Sequence, residues 1–144
     1  KEAMSTDYQS YAAQVIRNAQ ALSASLADQG MRPVSGGTDT HLALIDLRGV
    51  GVTGADAEVR CDAARITLNK NAIPYDPQPP TVGSGIRVGT PSVTTQGMGE
   101  AEMAVIGRLI GTAVTDPAAA PAVAAEVSEL VARFPAYAQT PVGV

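Results

Sequence analysis

Within "AIPYDPQPPTVGSG", residues 72–85, four prolines fall in a short span, and they divide everything around them. Each ring removes a backbone donor and fixes φ, so neither a helix nor a central strand can run through the segment. A loop this stiff usually has a task or an anchor. Any fold for the 144-residue chain must therefore be built from what lies before residue 72 and after residue 85.

Before the loop, Tyr8, Tyr11, Ala12, Val15, Ile16, Ala19, Leu22 and Leu26 recur at steps of three and four, one buried helical stripe. Ser5 or Thr6 can cap its start, and Gly30 supplies a left-handed stop. After the turn-rich connector "RPVSGGTDTH", residues 41–48 read "HLALIDLR", a strand expected to be covered on both faces. Thr53 with Asp56 three residues on predicts a capped short helix burying Ala57, Cys61 and Ala64. "ITLNKN" reads as a further short strand.

Beyond the loop, "IRVGT" is the next strand, and Pro91 biases Thr90 toward an extended conformation. From Gly99, Met103, Ile106, Leu109, Ile110 and Ala113 predict a helix whose first turn carries Glu100 and Glu102, where they complement its dipole. A last helix, residues 120–134, is expected to bury Val123, Val127, Leu130, Val131 and Phe134. The predicted order is helix, strand, helix, strand, strand, helix, helix, in one domain with no internal repeat.

Charge narrows the function. Net charge is −4, and eight arginines and two lysines are scattered singly, so no basic stripe exists to neutralise phosphates. With no tryptophan and one phenylalanine there is no stacking platform for single strands. Nucleic acid is not an expected partner. The apolar runs fall well short of the roughly 20 residues of a membrane span. One cysteine, Cys61, excludes an internal disulfide and is read as inert core, which fits a reducing compartment. The chain opens KEAMSTDYQ, more like a cut from a longer polypeptide than a natural start.

Few residues offer chemistry. One histidine, His41, cannot form a zinc site alone, and Ser35, Asp39 and His41 crowd one turn instead of converging from separate elements as a hydrolytic triad must. Glycines 83, 85 and 89 are spaced G-x-G-x-x-x-G with no helix directly after, which is not a dinucleotide fingerprint. Neither Lys1 nor Lys70 sits in an apolar setting that would lower its pKa for Schiff-base chemistry. Arg87 remains. A guanidinium directs two parallel donors at a carboxylate, and the glycines around it would let a ligand or another backbone approach closely. On composition and spacing alone, an exposed strand arginine is the better reading of it.

Three long stretches carry a resemblance: "VSGGTDTHLALIDLR", "TGADAEVRCDAARITLNKNAIPYDPQPP" and "GSGIRVGTPSVTTQGMGEAEM". Together they resemble the C-terminal portion of serine hydroxymethyltransferase, in order from about Lys1 to Tyr137, where the likeness ends in "RFPAY". The resemblance implies an α+β fold, the small C-terminal domain of the aspartate-aminotransferase-like pyridoxal-phosphate enzymes, with a mainly antiparallel sheet and helices on one face. Residues 1–144 would then be that domain alone, its partner the large cofactor-binding domain. The family transfers a one-carbon unit from serine to tetrahydrofolate, giving glycine and methylene-tetrahydrofolate, with pyridoxal phosphate as electron sink.

Residue by residue, the arginine of the family's S-G-I-R-[IV]-G-T-P motif falls on Arg87, which the resemblance makes the grip on the amino-acid carboxylate. The N-K-N segment places a folate-contacting asparagine at Asn71. The loop bordering the folate site reads Pro79, Pro80, Thr81 where many members have Ser-Pro-Phe, a departure that bears on its folate contacts and not on its position. Gly83 replaces a threonine common in the family. The Schiff-base lysine and the acid-base groups fall upstream of these motifs, so no catalytic residue and no metal is expected within this chain, and Lys70 matches the N-K-N lysine. The resemblance also implies a cytoplasmic homodimer and an inactive isolated chain. Two other readings compete: a non-catalytic module that binds a small carboxylate through Arg87, and a purely structural domain.

Overall fold

The computed structural model describes residues 1–136; Tyr137, where the family-like stretch ends, lies outside them. The first helix, α1, runs Thr6–Asp28, and the Ser5 hydroxyl caps it by accepting from the Tyr8 N–H at 3.2 Å. Gly30 ends it at φ +81°, and the Met31 N–H turns back to the Leu26 carbonyl. The apolar stripe buries Val15, Ala19, Leu22 and Leu26 as its spacing predicts, whereas Tyr11, Ala12 and Ile16 are only half-buried and Tyr8, expected in the same stripe, is exposed.

Four antiparallel strands follow: β1 Arg32–Pro33, β2 Leu42–Asp46, β3 Asn69–Asn71 and β4 Gly85–Gly89, ordered β1-β2-β4-β3 across the sheet. Between β2 and β3 lies helix α2, Gly54–Ala63, with the Thr53 hydroxyl accepting from the Asp56 N–H at 3.1 Å. The cap is not reciprocal: the Asp56 carboxylate accepts a hydrogen bond from the Thr53 hydroxyl at 2.7 Å instead of reaching a backbone N–H. After β4 come a short helix α3, Pro91–Thr95, then α4, Glu100–Thr115, and α5, Ala120–Arg133. Glu102 starts α4 by accepting from the Gly99 N–H at 2.9 Å.

The long helices lie on one side of the sheet, which makes the domain a small α+β fold with an antiparallel sheet and helices on one face. Its core joins Leu26 of α1, Ile45 of β2, Ile86 of β4, Met103 and Leu109 of α4, and Leu130 of α5. Helices α1 and α4 meet closely because Gly107 and Gly111 share one face. A Cβ added at Gly107 would stand 2.3 Å from Ser25 Oγ, and one at Gly111 2.6 Å from Gln29 Cγ.

Several sequence expectations need correction. The strand at 41–48 is not covered on both faces: it pairs only over Leu42–Asp46, and Leu42 and Leu44 stay half-buried on the side away from the helices. Thr90 is not extended, with φ −116° and ψ −4°. Its hydroxyl donates to the buried Val15 carbonyl at 2.8 Å, and Pro91 serves as the first residue of α3, where a missing N–H costs nothing. That helix was not predicted; neither was β1. Buried Asn18 holds α3 in place, its Nδ2 donating to Thr94 Oγ1 at 2.8 Å and to the Met98 carbonyl at 2.9 Å. Val131 is 47% exposed, not core.

Candidate functional site

Strand alternation decides what each sheet residue faces. In the β3–β4 ladder Asn69 stands opposite Arg87, Lys70 opposite Ile86 and Asn71 opposite Gly85. Ile86 is fully buried against the helix layer, so Lys70 shares that covered side. There Glu58 of α2 takes it, with Nζ donating to the carboxylate at 2.6 Å and the Lys70 N–H donating at 3.1 Å. The Lys70 side chain itself holds Glu58 below the usual carboxylate range.

Arg87 and Asn69 therefore occupy the opposite, open side, both exposed, with Leu44 across from Arg87 on β2. Asn69 Oδ1 accepts from the Arg87 guanidinium at 3.5 Å. Among the described residues no carboxylate lies within ion-pair distance of Arg87. Asn71 is on the same side, one step toward the proline-rich loop, and its Nδ2 donates to the Ala72 carbonyl at 2.7 Å.

Asp46 closes that end of the open face. Its buried carboxylate accepts from Arg48 Nη2 and from Arg32 Nη2, each at 2.8 Å. The Arg48 side chain is the main cause that lowers its pKa to about 2; burial opposes this, and the Arg48 N–H and Arg32 reinforce it.

The proline-rich loop is tied down from both ends. Asp76 accepts from the N–H groups of Ile73, Gln78 and Ser84 at 3.0, 2.9 and 2.8 Å and from the Ser84 hydroxyl at 2.6 Å. Burial is the largest single influence on this carboxylate and favours the neutral form, but the Ser84 hydroxyl and the three N–H donors together hold its pKa far below normal. The first N–H groups of α2 add two more ties, Gly54 to the Gly83 carbonyl and Ala55 to the Val82 carbonyl. Pro79, Pro80 and Thr81 are exposed on the outer part of this loop. Among the described residues no side-chain hydrogen bond joins them to Asn71 or Arg87.

Two of the three neighbouring glycines serve the protein's own packing and not a ligand's approach. A Cβ on Gly85 would lie 2.6 Å from Ile73 Cγ2 and 2.7 Å from the Ile45 carbonyl oxygen. Gly83, at φ +62°, would meet the Asn71 carbonyl oxygen at 2.8 Å. Only Gly89, with nothing nearer than 3.4 Å, is loosely surrounded.

Other chemistry is sparse. Cys61 is buried, and burial pushes its thiol up to about 12, so it is protonated and unreactive at neutral pH. Among the described residues no group of acidic, histidine or cysteine side chains could hold a metal ion, and no helix is long and apolar enough to cross a membrane. A groove of about 680 Å³ runs beneath α4 and α5, walled mainly by apolar side chains such as Met98, Met103 and Leu130, with Asn69 and Arg87 also bordering it.

A model of the serine hydroxymethyltransferase family matches residues 1–110. The chain belongs to that family. It is 52% identical over 141 residues to the serine hydroxymethyltransferase of Myxococcus xanthus, covering 96% of this chain and 34% of the relative. Likewise it is 51% identical to the serine hydroxymethyltransferase of Desulforapulum autotrophicum, over 95% of this chain and 33% of that one. The enzyme of Bordetella avium is 49% identical, over 95% and 34%. The chain thus spans about a third of the length of the curated relatives it matches. Around Arg87 and the proline-rich loop, the residues that sequence reasoning passed over are Asn69 and Asp76. The alternation in N-K-N was the available signal for the first, since it sets Asn69 beside Asn71; Asp76, in an Asp-Pro-Gln turn of the loop, had a signal only as a turn former.

Proposed function

We propose that residues 1–144 form the small C-terminal domain of a cytoplasmic, homodimeric serine hydroxymethyltransferase, in which Arg87 grips the carboxylate of serine or glycine. The observation that carries this reading is a guanidinium that has no carboxylate partner among the described residues, on the open side of a sheet whose other side is sealed by helices. A charge kept exposed and unpaired is available for a ligand, and a planar fork of donors matches a carboxylate in one orientation. Held at that end, the amino acid presents its reacting bonds in a fixed direction, which is an orientation effect. Asn71 and the loop carrying Pro79, Pro80 and Thr81 contribute to the tetrahydrofolate side of the same site.

The residues of this chain do not fit as the attachment point for pyridoxal phosphate. Lys70 is held by Glu58 on the helix-covered side, away from Arg87, and Lys1 is exposed at the N-terminus. In this reading the cofactor and the acid-base groups belong to the large domain, and Arg87 completes the site from outside it. The isolated chain should therefore be inactive: incubation with pyridoxal phosphate and borohydride should leave no stoichiometric adduct on Lys70, and an adduct there would contradict the reading. In the full-length enzyme, Arg87→Ala should cripple serine cleavage while cofactor binding persists. Near-normal cleavage would remove Arg87 from the site.

A further inference from the structure

We infer that Asn69 is a positioning residue for Arg87, and that its neutrality is what leaves the guanidinium free to take a substrate carboxylate; the inference rests on the carboxylate-binding reading of Arg87. The strands contain three cations, Arg32, Lys70 and Arg87. Arg32 is paired with Asp46 at 2.8 Å and Lys70 with Glu58 at 2.6 Å. Arg87 has an amide in the corresponding place: Asn69 lies directly across the ladder on the same open face, and its Oδ1 accepts from Nη2 at 3.5 Å.

An amide oxygen can accept one guanidinium proton and so restrain the side chain's swing without cancelling its charge. A carboxylate of the same shape would do more. It would bind the fork as a bidentate partner and compete with the substrate for the same donors. Asparagine at 69 is therefore the residue that orients without occupying. Asn69 is exposed on an edge strand, so core packing within this domain does not dictate its identity.

The test uses the full-length enzyme carrying these residues, with Asn69→Asp and Asn69→Ala made alone and with Arg87→Ala. Asn69→Asp should raise KM for serine about ten-fold or more while kcat changes less than about two-fold. Asn69→Ala should raise KM only about three-fold, and neither single variant should shift Tm. In the Arg87→Ala background, Asn69→Asp should have no further effect on KM. Equal effects of the two substitutions, an unchanged KM in Asn69→Asp, or an Asn69→Asp effect that survives loss of Arg87 would each overturn the positioning role. If Arg87→Ala itself leaves KM and kcat near normal, the carboxylate-binding reading fails instead, so the two failures are distinct.

Discussion

Ile86 and Arg87 are neighbours in the chain and occupy opposite faces of β4. Ile86 has no exposed surface and touches the helix layer; Arg87 projects from the side the helices leave open. The covered face is built from apolar residues, with Lys70 admitted only in an ion pair with Glu58. The open face mixes half-buried Leu42 and Leu44 with Asn69, Asn71 and Arg87. On the proposed reading, stability and binding are divided between two sides of one sheet a single residue apart, and substitutions on the two sides should behave differently.

The largest effect should come from the covered face. Ile86→Ala empties a fully buried position and should cost about 2–5 kcal/mol of stability in chemical denaturation. Arg87→Ala in the same experiment should stay within about 0.5 kcal/mol of wild type. Comparable losses would erase the division. Next comes the boundary between the faces: Gly85→Ala must push against Ile73 and the Ile45 carbonyl, so it should cost about 1–3 kcal/mol, while Gly89→Ala, with 3.4 Å of room, should cost less than 1 kcal/mol or so.

Acid should act through Asp76 of the proline-rich loop and, in part, through Asp46 at the end of the open face. Asp46 has a pKa of about 2 in the folded chain, lowered from the ordinary value of 3.8, so its contribution is fully present above the ordinary value and is lost as pH falls toward 2. Urea denaturation as a function of pH should lose part of that acid dependence in Asp46→Asn, and an unchanged slope would show that the Arg32 and Arg48 contacts contribute nothing. The smallest effect concerns the core thiol: Cys61 should react with a thiol reagent only when the chain unfolds, and prompt labelling of the native chain would mean the helix layer opens at α2.

Long periodic elements were legible in the sequence because their signal repeats. The stripe of α1, the capped start of α2 and the Met103-to-Ala113 pattern of α4 each drew on several residues that agree. Short elements were not, because each depends on one distant partner. Thr90 is held out of the extended region by a hydrogen bond to Val15, 75 residues away, and α3 by Asn18, 76 residues from Thr94. β1 is two residues long and exists only by pairing with the end of β2.

The site was legible in a different way. Arg87 stood out as a lone charge among glycines and small residues, and the family motif gave it a role. The open face on which it sits was not legible, since "HLALIDLR" is as apolar as a strand buried on both sides, and only the helix positions reveal which side is bare. The glycines misled for a related reason: spacing cannot say whether the approaching group is a ligand or the protein's own Ile73.

The most direct measurement of the division between faces is glycine affinity of the cofactor-loaded full-length enzyme, set beside thermal unfolding, for wild type and Arg87→Ala. Loss of a bidentate, charge-assisted pair is worth about 3 kcal/mol, or roughly a hundred-fold in Kd. The prediction is a Kd weakened by about that factor with Tm unchanged. An unaltered Kd, or a weakened one accompanied by a proportionate fall in Tm, would mean that Arg87 serves the fold and that the open face is not where the carboxylate is held.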